Sequence, residues 1–244
     1  MAPALAFAFL GWFFGGFVSG VAGFGGMMMA LPIFMLGMSP SDAVLVCCLI
    51  GGPSCTQLGW MYRKHMVWDD MKWLWLSCIP GCFAGTIVLK VVPMHWLQMG
   101  ISLMIAAFVL LHLCRGRATW RLPDSVSSLL VTGFASGMAN STVSVVGVPI
   151  GIFVLLKQWD KDRARATMAV FFFFSCWMTT LAQWIGGLYT LEHVRLALAG
   201  IAGAFVGQKL GFLLGRRIDQ RMFVRFVLAF LTSAAVILFT KALQ

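Results

Sequence analysis

Apolar residues occur in eight long runs along this chain, and short polar or charged stretches separate the runs. The runs cover residues 4–38, 43–62, 71–92, 96–114, 124–156, 164–187, 194–214 and 222–240. A helix needs about 20 consecutive apolar residues to cross the hydrocarbon core of a bilayer. The pattern therefore predicts an all-α polytopic membrane protein.

The first and fifth runs differ from the others because polar or glycine-rich stretches interrupt them. Gly23-Phe24-Gly25-Gly26 interrupts the first run, and Asn140-Ser141-Thr142, followed by Gly147 and Pro149, interrupts the fifth. Irregular backbone at membrane depth is tolerated only where it is buried in protein or lines a wet cavity. Broken segments at matching places in two halves of a chain indicate a transporter's substrate site.

The two broken runs belong to an internal repeat. Residues 16–23 and 133–140 share five of eight residues at an offset of 117, and Ile79–Gly85 matches Ile201–Gly207. This duplication predicts two membrane repeats, 1–123 and 124–244, that together form one transmembrane domain. Glycines four apart lie on one helix face and permit close helix contact, so we expect Gly81, Gly85, Gly203 and Gly207 to serve packing.

The loop charges predict how the runs are threaded. Basic clusters follow the second, fourth, fifth and seventh runs. Eight single crossings would place the clusters after the fourth and fifth runs on opposite sides, against the positive-inside rule. If both broken runs enter and turn back, all four clusters are cytoplasmic. Each repeat is then a broken, re-entrant helical hairpin plus three transmembrane helices, and the repeats have inverted topology.

Composition agrees with a multi-pass integral membrane protein. The chain has 244 residues, of which 60% are hydrophobic and 11% charged. A soluble domain needs more charge to cover its surface. The net charge of +10 sits in short loops, so we expect a lipid bilayer as partner and no nucleic acid. Whether the chain forms a homo-oligomer stays open.

The two breaks are the predicted substrate site. A half-helix that begins at a break presents free N–H groups and the positive end of its dipole, which favour an anion. The candidate residues are Gly23, Phe24, Gly25, Gly26, Asn140, Ser141, Thr142 and Ser144, with Gln57 and Gln183 in neighbouring runs. The alternatives are that the glycines only permit tight packing and that the glutamines only join helices by hydrogen bonds.

Other chemistries lack their usual residues. All eight carboxylates lie at run ends or in loops, whereas proton relays and cation sites place one within the membrane. The glycine-rich stretch 20–26 lacks the Lys-Ser/Thr of a phosphate-binding loop, and the four His are scattered, so we expect no enzyme, cofactor or metal site. Met27–Met29 with Cys47, Cys48 and Cys55 leave a soft-metal permease as a lesser alternative.

The order of these motifs resembles a known family. Gly-Phe-Gly-Gly before Pro32, the repeat from Gly137 to Pro149, and Gly215-Arg216-Arg217 are similar to the TauE/SafE sulfite exporters of the TSUP superfamily. The resemblance implies an inner-membrane permease for sulfite or related organosulfonate and sulfur-containing anions that works without an ATPase. We therefore expect a secondary anion transporter that works by alternating access. A non-transport scaffold or assembly protein is the alternative, and it would bury both breaks in tight packing.

Overall fold

The computed structural model of the chain describes residues 2–22, 25–62, 68–114, 125–157 and 161–214, together with residues 229, 232 and 236. Within these residues the chain forms helices and no strands, which confirms the all-α prediction for the described part. The helices are α1 (Ala2–Ala22), α2 (Gly26–Phe34), α3 (Pro40–Tyr62), α4 (Trp68–Val91), α5 (Met94–Cys114), α6 (Val126–Val143), α7 (Gly147–Lys157), α8 (Lys161–Ile185) and α9 (Leu191–Leu214). Apart from residues 229, 232 and 236, the eighth predicted run lies outside the described residues.

Four of the described helices are long and apolar enough to cross a membrane. They are Pro40–Trp60 of α3, Trp68–Val91 of α4, Ala166–Ile185 of α8 and Leu191–Leu214 of α9. The α3 span is 72% buried, against 44–50% for the other three, so α3 lies at the centre. Large apolar side chains such as Ile87, Trp184 and Leu198 are exposed on the outer helices, as expected for a surface that faces lipid.

Both broken runs divide into two helices. Gly25 has a φ of 88° and starts α2, a left-handed conformation that glycine adopts without a steric cost. In the fifth run the break lies at Ser144–Val146, a few residues later than the sequence predicts. Asn140 to Thr142 form the last turn of α6, because Ser144 is left-handed (φ 55°) and its N–H donates to the Asn140 carbonyl at 2.9 Å.

The first broken run folds back on itself. A Cβ added at Gly15 would meet the Gly26 carbonyl at 2.5 Å, and one at Gly11 would meet the Phe34 ring at 2.9 Å. The start of α2 therefore lies beside the second half of α1, and the end of α2 lies nearer the start of α1. At about 1.5 Å per residue, α2 is about 14 Å long, less than half the thickness of the hydrocarbon core.

Glycine contacts join the most extensively packed helix pairs, α1 with α9 and α4 with α6. Gly16 and Gly20 of α1 abut the backbone of Ala204 and Gln208 of α9. Gly133 and Gly137 of α6 abut Leu74 and Cys78 of α4 in the same way. Residue numbers rise together in both pairs, so each pair is parallel. Backbone of the partner helix also lies against Gly81 and Gly85 of α4 and against Gly203 and Gly207 of α9, which confirms that these four glycines serve close packing.

The remaining contacts fix the directions of α3 and α8. Asp42 and Ser54 of α3 contact His193 and Gln208 of α9, so α3 runs parallel to α9 and α1. Cys48 contacts Thr180 and Gly59 lies beside Ala169, so α8 runs antiparallel to α3. The pairs Trp75–Phe174 and Thr86–Gly186 make α4 parallel to α8. Thus α1, α3 and α9 point one way, and α4, α6 and α8 point the other.

Candidate functional site

The two breaks meet at one small cavity. Its volume is about 30 Å³, which holds a water molecule. Gly25 and Gly26 from the first break and Ser144 and Gly147 from the second lie in its wall. The complete lining is Trp12, Ser19, Gly25, Gly26, Met27, Met28, Ser54, Cys55, Leu58, Ser144, Val146, Gly147 and Phe172. Residues more than a hundred positions apart in the chain are therefore neighbours here.

Two helix N-termini lie at this cavity. Helix α2 begins at Gly26, and its first recorded backbone bond runs from the Met29 N–H to the Gly25 carbonyl at 3.2 Å. Helix α7 begins at Gly147, and both Val146 and Gly147 line the cavity. The first N–H groups of a helix have no partner within it, and the helix dipole places partial positive charge there. Both helix ends therefore contribute partial positive charge beside the cavity.

Serine hydroxyls supply the polar side chains of the cavity wall. Gln208 of α9 donates from Nε2 to Ser54 Oγ at 2.7 Å, to the Ser54 carbonyl at 3.2 Å and to Ser19 Oγ at 3.4 Å. Gln208 is only 3% exposed, and its Oε1 has no hydrogen-bond partner. Ser19, Ser54 and Gln208 were not predicted from the sequence. The one available signal was Ser19, which is the serine of the repeated Gly-Phe-x-Ser-Gly motif.

Asn140 and Ser141 lie beside the second break but not in the cavity wall. Asn140 Nδ2 donates to Ser175 Oγ at 3.1 Å and to Thr179 Oγ1 at 3.0 Å. Ser141 Oγ lies 3.0 Å from Thr179 Oγ1. The Asn140 side chain is fully buried, and its Oδ1 has no partner. These predicted site residues therefore form a buried polar network between α6 and α8.

Gln183 extends this network towards the α8–α9 loop. Its Nε2 donates to the Ser141 carbonyl at 3.1 Å, and the Tyr189 hydroxyl donates to its Oε1 at 2.6 Å. Burial raises the pKa of Tyr189, so the phenol keeps its proton and stays a donor. Ser144 connects this network with the cavity. It lines the cavity, and its Oγ lies 3.7 Å from Cys48 Sγ, which is in contact with Gln183 Nε2.

The other predicted site residues are dispersed. Thr142 Oγ1 donates to the Gly85 carbonyl at 3.2 Å and so joins α6 to α4. Gln57 is partly buried in α3, lies outside the cavity wall, and has a buried Oε1 without a hydrogen-bond partner. Gly23 and Phe24 lie outside the described residues. The structure thus brings Gly25, Gly26 and Ser144 to the cavity and Asn140, Ser141 and Gln183 to the adjoining network.

The described carboxylates and histidines lie away from the cavity. His193 Nδ1 accepts from the Thr190 N–H at 3.1 Å, so Nε2 carries the proton and donates to Asp42 at 3.0 Å. This pair joins the N-terminal ends of α3 and α9. Within the ranges that the structure describes, no three His, Cys, Asp or Glu side chains are grouped to hold a metal ion.

The family comparison covers nearly the whole chain. The family model described as "Sulfite exporter TauE/SafE" matches residues 8–238. No curated protein and no solved structure matches the chain significantly. The match confirms the resemblance drawn from the Gly-Phe-Gly-Gly motif and the repeat, and the apolar helices fit a multi-pass membrane protein. The chain belongs to the TauE/SafE family, and it is a membrane transporter of sulfur-containing anions whose partners are a small anion and lipid.

Proposed function

We propose that this protein is a secondary transporter that exports sulfite or a related organosulfonate by alternating access, without ATP. The substrate site is the cavity between the two breaks. One observation carries this proposal: the N-termini of α2 and α7, from opposite halves of the chain, line the same cavity. Two positive helix ends and the hydroxyls of Ser54 and Ser144 suit an oxyanion without any cationic side chain, whereas the Ser19 hydroxyl donates to the Gly16 carbonyl at 2.9 Å.

The helix directions support inverted repeats with re-entrant hairpins. Helix α1 parallels α3, as it must if α2 returns the chain to its starting side before α3 begins. Eight single crossings would make these two helices antiparallel. Helices at corresponding positions in the two repeats run in opposite directions. The pairs are α1 with α6, α3 with α8, and α4 with α9. This threading also puts the four basic clusters on one side, which we assign to the cytoplasm of a cell with an inner membrane.

The cavity is small in this conformation. A volume of about 30 Å³ is too small for a sulfur oxyanion with four heavy atoms. The halves must therefore separate at the breaks to admit substrate. Helices α3 and α8 come from different halves and pack against each other, so they must move relative to each other. The small volume is also what a non-transport scaffold would show, so flux has to decide between them.

Flux in proteoliposomes tests the proposal. We expect saturable uptake or release of sulfite, with thiosulfate and sulfoacetate as competitors and chloride as the inert comparison. Absence of any saturable anion flux would favour the scaffold. Imposed pH and sodium gradients identify the coupling ion.

Two matched serine variants locate the site. Ser54→Ala removes a hydroxyl from the cavity wall, whereas Ser77→Ala removes an equally buried hydroxyl that bonds only carbonyls of its own helix. A hydrogen bond to a charged group contributes about 1.5–3 kcal/mol, so the KM of Ser54→Ala should rise about ten- to hundredfold. An unchanged KM in Ser54→Ala, or an equal rise of KM in Ser77→Ala, would show that the cavity is not the substrate site.

Asn140→Leu tests the adjoining network. Nδ2 of Asn140 holds Ser175 and Thr179 of α8, so its loss should reduce flux while the protein still inserts in the membrane. Unchanged kinetics would remove Asn140 from the transport pathway.

A further inference from the structure

Three sulfur atoms form a cluster at the wall of the cavity. Cys176 Sγ lies 3.7 Å from Cys55 Sγ and 3.9 Å from Met27 Sδ. The three residues come from α8, α3 and α2, and each is at least nine-tenths buried. Met27 and Cys55 also line the cavity, so the cluster adjoins it. The transport proposal assigns no role to this cluster.

Gly51 provides the space in which the sulfurs meet. A Cβ at residue 51 would lie 2.7 Å from Met27 Cε, 3.3 Å from Met27 Sδ and 3.4 Å from Cys176 Sγ. The sulfurs therefore converge over a position that has no side chain. Asn140 Nδ2 lies 4.0 Å from Cys176 Sγ, so an amide donor adjoins one thiol.

We propose that Met27, Cys55 and Cys176 bind one soft monovalent metal ion of the Cu(I) type. Thiolate and thioether ligands select Cu(I), whereas hard cations prefer oxygen and a structural zinc site takes four ligands. Metal–sulfur bonds of about 2.3 Å arranged trigonally separate the sulfurs by about 4 Å. The separations of Cys176 Sγ from Cys55 Sγ and from Met27 Sδ, 3.7 and 3.9 Å, fit two sides of that triangle.

Neighbouring groups partly compensate the net charge of the bound state. Binding replaces the protons of two thiols, which pass to solvent, with one metal ion, and leaves a site of net charge −1. Met27 lies in the first turn of α2, so the positive end of that helix adjoins the site. The Asn140 amide donates towards the Cys176 sulfur. This hydrogen bond is stronger when the sulfur is a thiolate.

The ion would hold three helices together. Under the proposed function, α3 and α8 belong to different halves that must move apart, so a metal bridge between Cys55 and Cys176 stops transport. This inhibitory role rests on the proposed function, whereas binding itself does not.

Binding to the purified full-length protein in detergent tests the site. Cu(I) is supplied without oxygen from a chromophoric chelator that competes for it. We expect one ion per chain in the wild type and its loss in Cys55→Ser and Cys176→Ser. Cys47→Ser is the matched control, because Cys47 is equally buried in α3 but outside the cluster. Retention of the ion in the double Cys55→Ser/Cys176→Ser variant, or equal loss in Cys47→Ser, would overturn the site.

A methionine pair keeps the test valid if the cysteine variants fold poorly. Met27→Leu conserves shape and every thiol, and Met29→Leu is its control on the same helix. Loss of a ligand should weaken Cu(I) binding at least about tenfold in Met27→Leu alone. X-ray absorption should count three sulfur neighbours in the wild type and two in Met27→Leu. Equal affinity and equal sulfur counts in the two variants would refute the role of Met27.

Flux separates this inference from the proposed function. Cu(I) should abolish sulfite flux in the wild type and leave it intact in Cys176→Ser. Flux that continues with the ion bound would overturn the inhibitory role. Binding in detergent without any flux in metal-free proteoliposomes would instead refute the transport proposal and leave the metal site standing.

Discussion

A methyl group at Gly207 should separate α1 from α9. A Cβ at this position would meet the Phe13 carbonyl oxygen, with Phe17 N at 2.9 Å and Phe13 C at 3.0 Å. All three atoms are backbone, so no side chain can rotate away. The two helices must therefore move apart. This separation also weakens neighbouring contacts of the same kind, such as the one between Gly203 and the Phe9 backbone.

The expected loss of stability follows from that geometry. Overpacking a tightly packed site costs about 1–3 kcal/mol. For a chain of this size, 1 kcal/mol corresponds to a shift in Tm of about 2–4 °C. Gly207→Ala should therefore lower Tm by about 2–12 °C. Gly100→Ala is the matched control, because its Cβ would lie 3.6 Å from Val143 Cγ1, an ordinary contact, and alanine favours the helix by about 1 kcal/mol.

The buried cysteines provide the assay. All six cysteines whose side chains the structure describes are buried and free, so a fluorogenic maleimide reacts with them only on unfolding. Heating the detergent-solubilised variants with this reagent gives Tm directly. If Gly207→Ala melts at or above the temperature of Gly100→Ala, the backbone contact between α1 and α9 is not what the geometry indicates.

Further predictions concern the network and the threading. Tyr189→Phe leaves the buried Gln183 Oε1 without its 2.6 Å donor, so the free energy of unfolding should fall by about 1–3 kcal/mol, and an unchanged Tm would contradict the bond. Because burial raises the pKa of Tyr189 in the folded state, its proton stabilises the fold up to about pH 10, and stability should fall above that pH in the wild type but less steeply in Tyr189→Phe. An impermeant maleimide should react from the cytoplasmic side with the new cysteine of Asp69→Cys and with that of Asp160→Cys; residue 160 lies outside the described residues. Reaction of the two cysteines from opposite sides would favour eight single crossings.

Apolar runs and glycine spacing were enough to predict the helices and the presence of helix faces that pack closely. A run of apolar residues has few alternatives to a helix in lipid, since every backbone polar group must find a partner within the protein. Glycines at 16 and 20, or 133 and 137, indicate one smooth helix face. The helix that packs against that face could not be predicted from the sequence, because a glycine face can pack closely against any other helix face of small residues.

The site was predicted less completely for two physical reasons. Asn140 and Ser141 were placed at the break because polar residues disfavour helix interiors, but buried partners on α8 satisfy them within the last turn of α6. Ser54 and Gln208 were missed because a single polar residue in an apolar run carries no periodic signal. Only three-dimensional packing shows that these two side chains meet at 2.7 Å.

The parallel contact of α1 with α9 has a consequence for biosynthesis. Helix α1 leaves the ribosome before α9, and the residues that it packs against lie about 190 positions later in the chain. At about 5–20 residues per second, α1 waits about 10–40 s in the membrane before its partner is made. Its glycine face is bare to lipid or to the insertion machinery during that interval. Chains that stop before α9 should therefore be recognised as incomplete and degraded, even though most of their spans have already been inserted.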